Sequence, residues 1–126
     1  MGFVVIGGFG ILAAATRRGG IGYVRLTRSG FEIAELARTG QGLWADVREV
    51  SDEAIDKRTQ HPIDVEMTDG SSQVIHWAAD FTPQGIALYW MVRHYWLHPE
   101  DRAELADGRA VERLRDEDFD TARARP

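Results

Sequence analysis

The hydrophobic pattern of this chain changes period once, and that change constrains its architecture more than any other feature. Between residues 21 and 79 apolar residues alternate with polar ones in short runs: Ile21–Thr27, Phe31–Ala37, Leu43–Val50, Pro62–Thr68 and Gln73–Ala79. A strand turns successive side chains to opposite faces, so this period of two predicts antiparallel sheet with one wet face. Turn chemistry separates the runs. Arg28-Ser29-Gly30 and Thr39-Gly40-Gln41-Gly42 supply glycines where the chain must break, and Asp69-Gly70 is a strong hairpin signal.

From Thr82 the period becomes helical. Thr82-Pro83 reads as a start, because threonine caps free N–H groups and proline at the first helical position loses no hydrogen bond. A helix is therefore expected over Thr82–Leu97, ended by His98-Pro99. Leu88, Met91, Val92, Tyr95 and Trp96 form its core stripe. Ile86, Trp90 and Leu97 line up elsewhere on it, flanked by Arg93 and His94. A second apolar stripe needs a second neighbour. Either residues 99–114 or the N-terminal segment fold over it, or these five residues form an interaction surface for lipid headgroups or another protein, where tryptophan beside arginine is favoured. A short helix over Pro99–Leu105, an interruption at Asp107-Gly108, a further turn over Arg109–Leu114 and a charged flexible tail over residues 115–126 complete the chain.

Residues 1–18 carry no charge before Arg17-Arg18. Three readings fit this segment. It resembles the end of a membrane helix with Arg17 and Arg18 as its cytoplasmic flank, although a full span needs about 20 apolar residues; the start then lies inside a longer natural protein. It also suits a buried strand or helix of a soluble fold. Gly8-Phe9-Gly10-Ile11-Leu12-Ala13 matches the glycine pattern of a dinucleotide loop, but no further strand–helix units follow.

Charge and composition narrow the function. The net charge is −5, and residues 32–81 carry eleven acids against four bases. Nucleic acid requires a basic surface, so no nucleic-acid partner is expected. The 126 residues include no cysteine, which removes disulfides and thiolate chemistry. Ser29, Ser51, Ser71 and Ser72 lie in turn-like sequence without a base in a recognisable setting. His94 and His98, four residues apart, and the neighbouring Glu100 make a weak metal set, since structural zinc takes four ligands. No catalytic residue, metal or cofactor is expected.

The hairpin Tyr23-Val24-Arg25-Leu26-Thr27 to Gly30-Phe31-Glu32-Ile33, the run Leu43-Trp44-Ala45-Asp46-Val47-Arg48-Glu49-Val50, the hairpin through Thr68-Asp69-Gly70 and the helix after Phe81-Thr82-Pro83 together resemble the bacterial pleckstrin-homology-like domains of small membrane-anchored proteins. The resemblance spans residues 21–98. It implies an α+β fold in which an antiparallel sheet or partly open β-barrel is closed by a C-terminal helix. Seven strands are usual there and five are clear here, so either two short ones lie within residues 38–42 and 51–61 or the fold is a smaller sheet with one helix. The organisation expected is an apolar segment over 1–18, a β domain with closing helices over 21–114 and the tail over 115–126. The function expected is a non-catalytic, membrane-associated interaction or scaffold module on the cytoplasmic side, with a membrane surface or membrane protein as partner. The alternatives are a soluble homo-oligomeric β-domain with the N-terminal segment in its core or interface, and a small enzyme or ligand carrier using the barrel mouth.

Overall fold

The computed structural model describes residues 2–7, 10–17, 20–35, 38–52, 62–76 and 85–120. Within them the chain is α+β, as the change of period predicts. Strands β1 (Gly2–Gly7), β2 (Gly10–Arg17), β3 (Gly20–Leu26), β4 (Gly30–Glu35) and β5 (Arg38–Leu43) form one antiparallel sheet in chain order. A 3₁₀ turn over Trp44–Asp46 then leads into a second antiparallel sheet of β6 (Val47–Ser51), β7 (Ile63–Met67) and β8 (Ser72–Ile75). Strands β5 and β8 are edges that approach without pairing, so the described strands do not close into a barrel. Three helices follow: α1 (Ile86–Leu97), α2 (Glu104–Asp107) and α3 (Arg109–Asp116).

Alternation sets the core. Val24, Leu26, Phe31 and Ile33 point inward from the first sheet, and Val47, Val50, Ile63, Val65, Met67 and Ile75 from the second. The spacing of three between Val47 and Val50 breaks the period, and a β-bulge between Val47 and Glu49 returns both to the core. Leu88, Met91, Val92 and Tyr95, four of the five stripe residues expected of the helix, cover these sheets. The fifth, Trp96, is half-buried and donates its indole N–H to the Val47 carbonyl at 3.1 Å, pinning α1 to β6.

Trp44 joins the two sheets. It is 2% exposed. Its indole N–H donates to the Thr27 carbonyl (2.8 Å), and its ring packs 5.7 Å from Phe31. The Arg102 guanidinium lies 5.4 Å from the same ring, a cation–π contact that ties the C-terminal region to this junction.

Two regions differ from expectation. The apolar segment 1–18 reads in its described residues as strands rather than as a membrane helix. Val4, Val5 and Ile6 favour strand, glycines at 2, 7 and 10 disfavour helix, and β2 finds a full partner in β3, from Ile11 against Leu26 to Arg17 against Gly20. No described helix is long and apolar enough to cross a membrane. The second difference is β5, which occupies the break expected at Thr39–Gly42. Its glycines let neighbouring side chains lie across it: a Cβ on Gly40 would sit 2.1 Å from Gln73 Oε1, and one on Gly42 would sit 2.7 Å from Met67 Cε. This strand matches the short one expected within residues 38–42. The other was expected within residues 51–61, of which Ser51 ends β6 and residues 53–61 lie outside the described residues.

The closest approach is at Gly30, where a Cβ would fall 2.0 Å from the Gly42 carbonyl oxygen. Backbone has to move to admit it. Gly30→Ala is expected to destabilise the fold by about 1–3 kcal/mol, as overpacked sites do. Trp44→Ala, which opens a cavity at the junction, is expected to cost about 3–5 kcal/mol. Urea denaturation of the two variants against wild type measures both.

Candidate functional site

The expected interaction face lies on α1, and the chain after α1 decides how much of it is open. The described helix begins at Ile86, after Gly85 in a left-handed conformation (φ 70°). The cap expected at Thr82-Pro83 lies outside the described residues, as does Arg18. Arg17 is the last residue of β2.

At its C-terminus α1 is closed by a side chain from the following turn. Arg102 donates from Nε to the Tyr95 carbonyl (2.6 Å) and from Nη2 to the Trp96 carbonyl (3.0 Å). A cation there satisfies orphan carbonyls and suits the helix dipole. Pro99 starts a 3₁₀ turn through Asp101, and α2 follows, bringing Glu104 to the buried hydroxyl of Tyr95 (3.0 Å). Gly108, with φ 90°, reverses the chain into α3. Arg113 then grips Glu104 with two bonds, Nε to Oε1 at 2.7 Å and Nη2 to Oε2 at 2.8 Å. The Arg113 guanidinium holds the Glu104 carboxyl below the ordinary carboxylate range, whereas burial and the bond to Glu104 push the Tyr95 hydroxyl far up.

After α3 the chain reverses again. Glu117 adopts φ 50°, the one non-glycine residue at positive φ among the described residues, and the Asp118 N–H returns to the Arg113 carbonyl at 3.0 Å. Residues 117–120 then lie across α1. The Asp120 N–H donates to Nδ1 of His94 (3.0 Å), and its carbonyl accepts from Arg93 Nη1 (2.9 Å). Its carboxylate meets Nε2 of His98 (2.8 Å), and the Phe119 ring lies 5.9 Å from that of His94. The tail expected to be flexible from Arg115 is thus, as far as Asp120, a helix end and a docked segment, because the backbone and carboxylate of Asp120 meet Arg93, His94 and His98 and Phe119 lies beside the His94 ring. Residues 121–126 lie outside the described residues.

The five residues expected to form the surface therefore divide. Ile86 and Leu97 are exposed, at 48% and 37%. Trp90 is half-buried, edge-on to Tyr89, with the Arg93 guanidinium 5.6 Å from its ring. Arg93 and His94 are buried beneath the segment 117–120. His94 and His98 do lie together, ring centroids 4.6 Å apart, but carboxylates and the Asp120 amide engage their nitrogens. Among the described residues no group of three or more histidine or acidic side chains is arranged to hold a metal ion.

Two clefts mark the seam between the sheets. One, of about 740 Å³, is bordered by β3, β4, β5 and the β7–β8 hairpin. Two of its three acids pair locally: Asp69 accepts from the Ser71 N–H (2.8 Å) and hydroxyl (2.5 Å), and Glu32 accepts from the Tyr23 hydroxyl (3.1 Å) and lies 3.9 Å from Arg25. The other, of about 570 Å³, contains buried Glu35, which accepts from the His76 backbone N–H at 2.7 Å.

Sequence reading missed the Tyr95–Glu104–Arg113 clamp and the docking of Asp120. Phe119 was the available signal: a lone aromatic inside an acidic run has reason to be buried.

The histidines give this region a pH profile of opposed signs. Burial pulls His94 below the ordinary histidine value of 6.5, against the raising effect of Asp101. Its contribution is complete above 6.5 and is lost as pH falls through its folded pKa. Asp120, and then Glu100, raise His98, so its contribution is complete below 6.5 and is lost as pH rises through its folded pKa. Urea midpoints between about pH 5 and 8 are expected to peak near the ordinary histidine value, and His98→Ala to remove the decline on the alkaline side. Glu104→Ala strips two buried partners at once and is expected to cost about 3 kcal/mol in the same assay.

No protein-family model, curated protein or solved structure matches this chain.

Proposed function

We propose that the chain is a non-catalytic, pleckstrin-homology-like interaction module that docks on an anionic membrane surface at the cytoplasmic side through the outer face of α1. The observation that carries this reading is the distribution of exposure along that helix. Ile86 and Leu97 stand in solvent on a line with half-buried Trp90, and Arg93 stacks over the indole. Helix α1 contains no acid, in a chain whose net charge is −5. Apolar side chains beside tryptophan and arginine suit the headgroup boundary, where the indole and the guanidinium tolerate a surface that is apolar on one side and wet on the other. Anionic lipids concentrate on the cytoplasmic leaflet and attract each nearby basic group by about 1 kcal/mol. The order of elements, a strand meander followed by a second three-stranded meander and a packed helix, supports the family resemblance.

A second reading, a homo-oligomer, rests on β1. This strand is an edge with one neighbour, and its sequence, Gly-Phe-Val-Val-Ile-Gly, has no charge or proline to discourage pairing with another copy. Sedimentation velocity measures this directly: a monomer across the micromolar range removes the reading.

For the membrane reading, Ile86→Glu and Leu97→Glu are substitutions at exposed positions and are expected to keep the wild-type melting temperature. Each is expected to reduce co-sedimentation with phosphatidylglycerol vesicles by about tenfold or more, as the loss of an apolar contact and the gain of a repelled charge together cost over about 1.4 kcal/mol. Wild-type protein that stays in the supernatant, or variants that sediment as wild type does, would contradict the proposal.

A further inference from the structure

The segment that covers the cationic half of this face has the character of the surface proposed to bind there. Residues 116–120 read Asp-Glu-Asp-Phe-Asp, four acids around one aromatic. Asp120 meets Arg93 through its carbonyl, His94 through its N–H and His98, the residue that follows α1, through its carboxylate. An anionic surface arriving at α1 competes for the same side chains.

The atoms at His94 also set the condition under which the segment stays. The Asp120 N–H points at Nδ1, so Nδ1 must carry a lone pair, and the ring proton must be on Nε2, where it is donated to Asp101 Oδ2 at 2.9 Å. A second proton on the ring has one place to go, Nδ1. There it would set a donor against the Asp120 N–H in a buried site, with no acceptor between them. The charged groups facing the ring are His98 on the same helix, Asp101 on the turn, Arg113 on α3 and Asp120 on the docked segment. Asp101 favours the added proton; burial, Arg113 and His98 oppose it.

We propose that residues 117–120 are an acid-released strap: they occupy the cationic half of the outer face of α1 in cis and leave when His94 is protonated, so that Arg93, His94 and His98 become available to an anionic lipid surface. The inference rests on the membrane reading above and adds its regulation. Release changes which partner the cations meet and leaves the β core, the Trp44 junction and the Glu104–Arg113 clamp in place. His98 works in the opposite sense, because its protonated ring attracts the Asp120 carboxylate. The step that opens the strap therefore belongs to His94, the buried ring whose acceptor nitrogen is committed to the Asp120 amide.

The test uses the full chain as wild type, Asp120→Pro and His94→Asn, at about pH 7 and about pH 5.5, on either side of the ordinary histidine value. Asp120→Pro removes the N–H that seats the strap. Asn at position 94 keeps an acceptor near the place of Nδ1 and cannot take up a proton. Strap release is read from hydrogen-exchange protection of the Asp120 amide in wild type and His94→Asn and, in all three forms, from the contact between the Phe119 and His94 rings by NMR; binding is read from co-sedimentation with phosphatidylglycerol vesicles and with phosphatidylcholine vesicles. In wild type, strap protection is expected to fall on acidification, by at most about tenfold at one pH unit below the ordinary histidine value and by less where protonated His98 holds Asp120. Phosphatidylglycerol binding is expected to rise in step. His94→Asn is expected to keep or gain protection on acidification, because His98 alone then titrates at the strap, and Asp120→Pro is expected to bind phosphatidylglycerol at pH 7 more strongly than wild type does at that pH. Protection that falls equally in wild type and His94→Asn overturns the proposal. So does an Asp120→Pro variant with a released strap and wild-type binding, in which case the membrane reading survives alone. If no form of the protein binds phosphatidylglycerol in preference to phosphatidylcholine, the membrane reading fails and the regulation with it, even where the strap moves as expected. Capture of an acidic peptide in place of vesicles by Asp120→Pro would likewise overturn the lipid assignment.

Discussion

The buried Glu104 carboxylate is the interaction on which the C-terminal half depends. It sits on a helix of only four residues, too short to be stable alone. Its position comes from the Tyr95 hydroxyl on one side and two Arg113 nitrogens on the other. One carboxylate thus connects the last turn of α1 to α2 and α3. Pairing at both oxygens offsets the desolvation that an isolated carboxylate would suffer there. Without it α3 keeps only the packing of Ala110, Val111 and Leu114, and the reversal at Glu117 loses a support that helps deliver Asp120 to His94 and His98.

Arg102 extends the same logic. Its guanidinium caps the carbonyls of Tyr95 and Trp96 and lies over the Trp44 ring. Trp44 in turn holds Thr27 at the end of β3 and occupies the turn where the chain passes between sheets. The sheet junction and the C-terminal clamp are therefore linked through one cation, and the outer face of α1 is presented by a helix fixed at its inner face, at its end and through Trp96. What remains adjustable is the strap, held to α1 through the bonds of Asp120 to Arg93, His94 and His98.

Much of the fold was legible because alternation carries strong information. Ile63, Val65 and Met67 were readable as one buried face, and the stripe from Leu88 to Tyr95 as a helix packed on it. The rest was hidden for physical reasons. Strand β5 is built from Arg-Thr-Gly-Gln-Gly-Leu, where glycine makes room for Phe31, Met67 and Gln73 and leaves no hydrophobic pattern to read. The run from Leu43 to Val50 suggested a continuous strand, and a 3₁₀ turn followed by a bulge gives the same burial by another route. At the candidate site the residues named from sequence do share α1. The partition among them was not legible, because Arg93 and His94 are covered by residues over 20 positions away whose acids suggested solvent. A charged run is usually solvated; here it found cations and a ring to dock on.

A neutral His94 that receives the Asp120 amide at Nδ1 seats the strap. Nitrogen-15 NMR of the histidine side chains near neutral pH tests it most directly. His94 is expected to be neutral with its proton on Nε2, and an Asp120→Pro substitution, which removes the donated N–H, is expected to alter the Nδ1 resonance. A His94 ring protonated at Nδ1, whether neutral or charged, in the folded protein at that pH would contradict it.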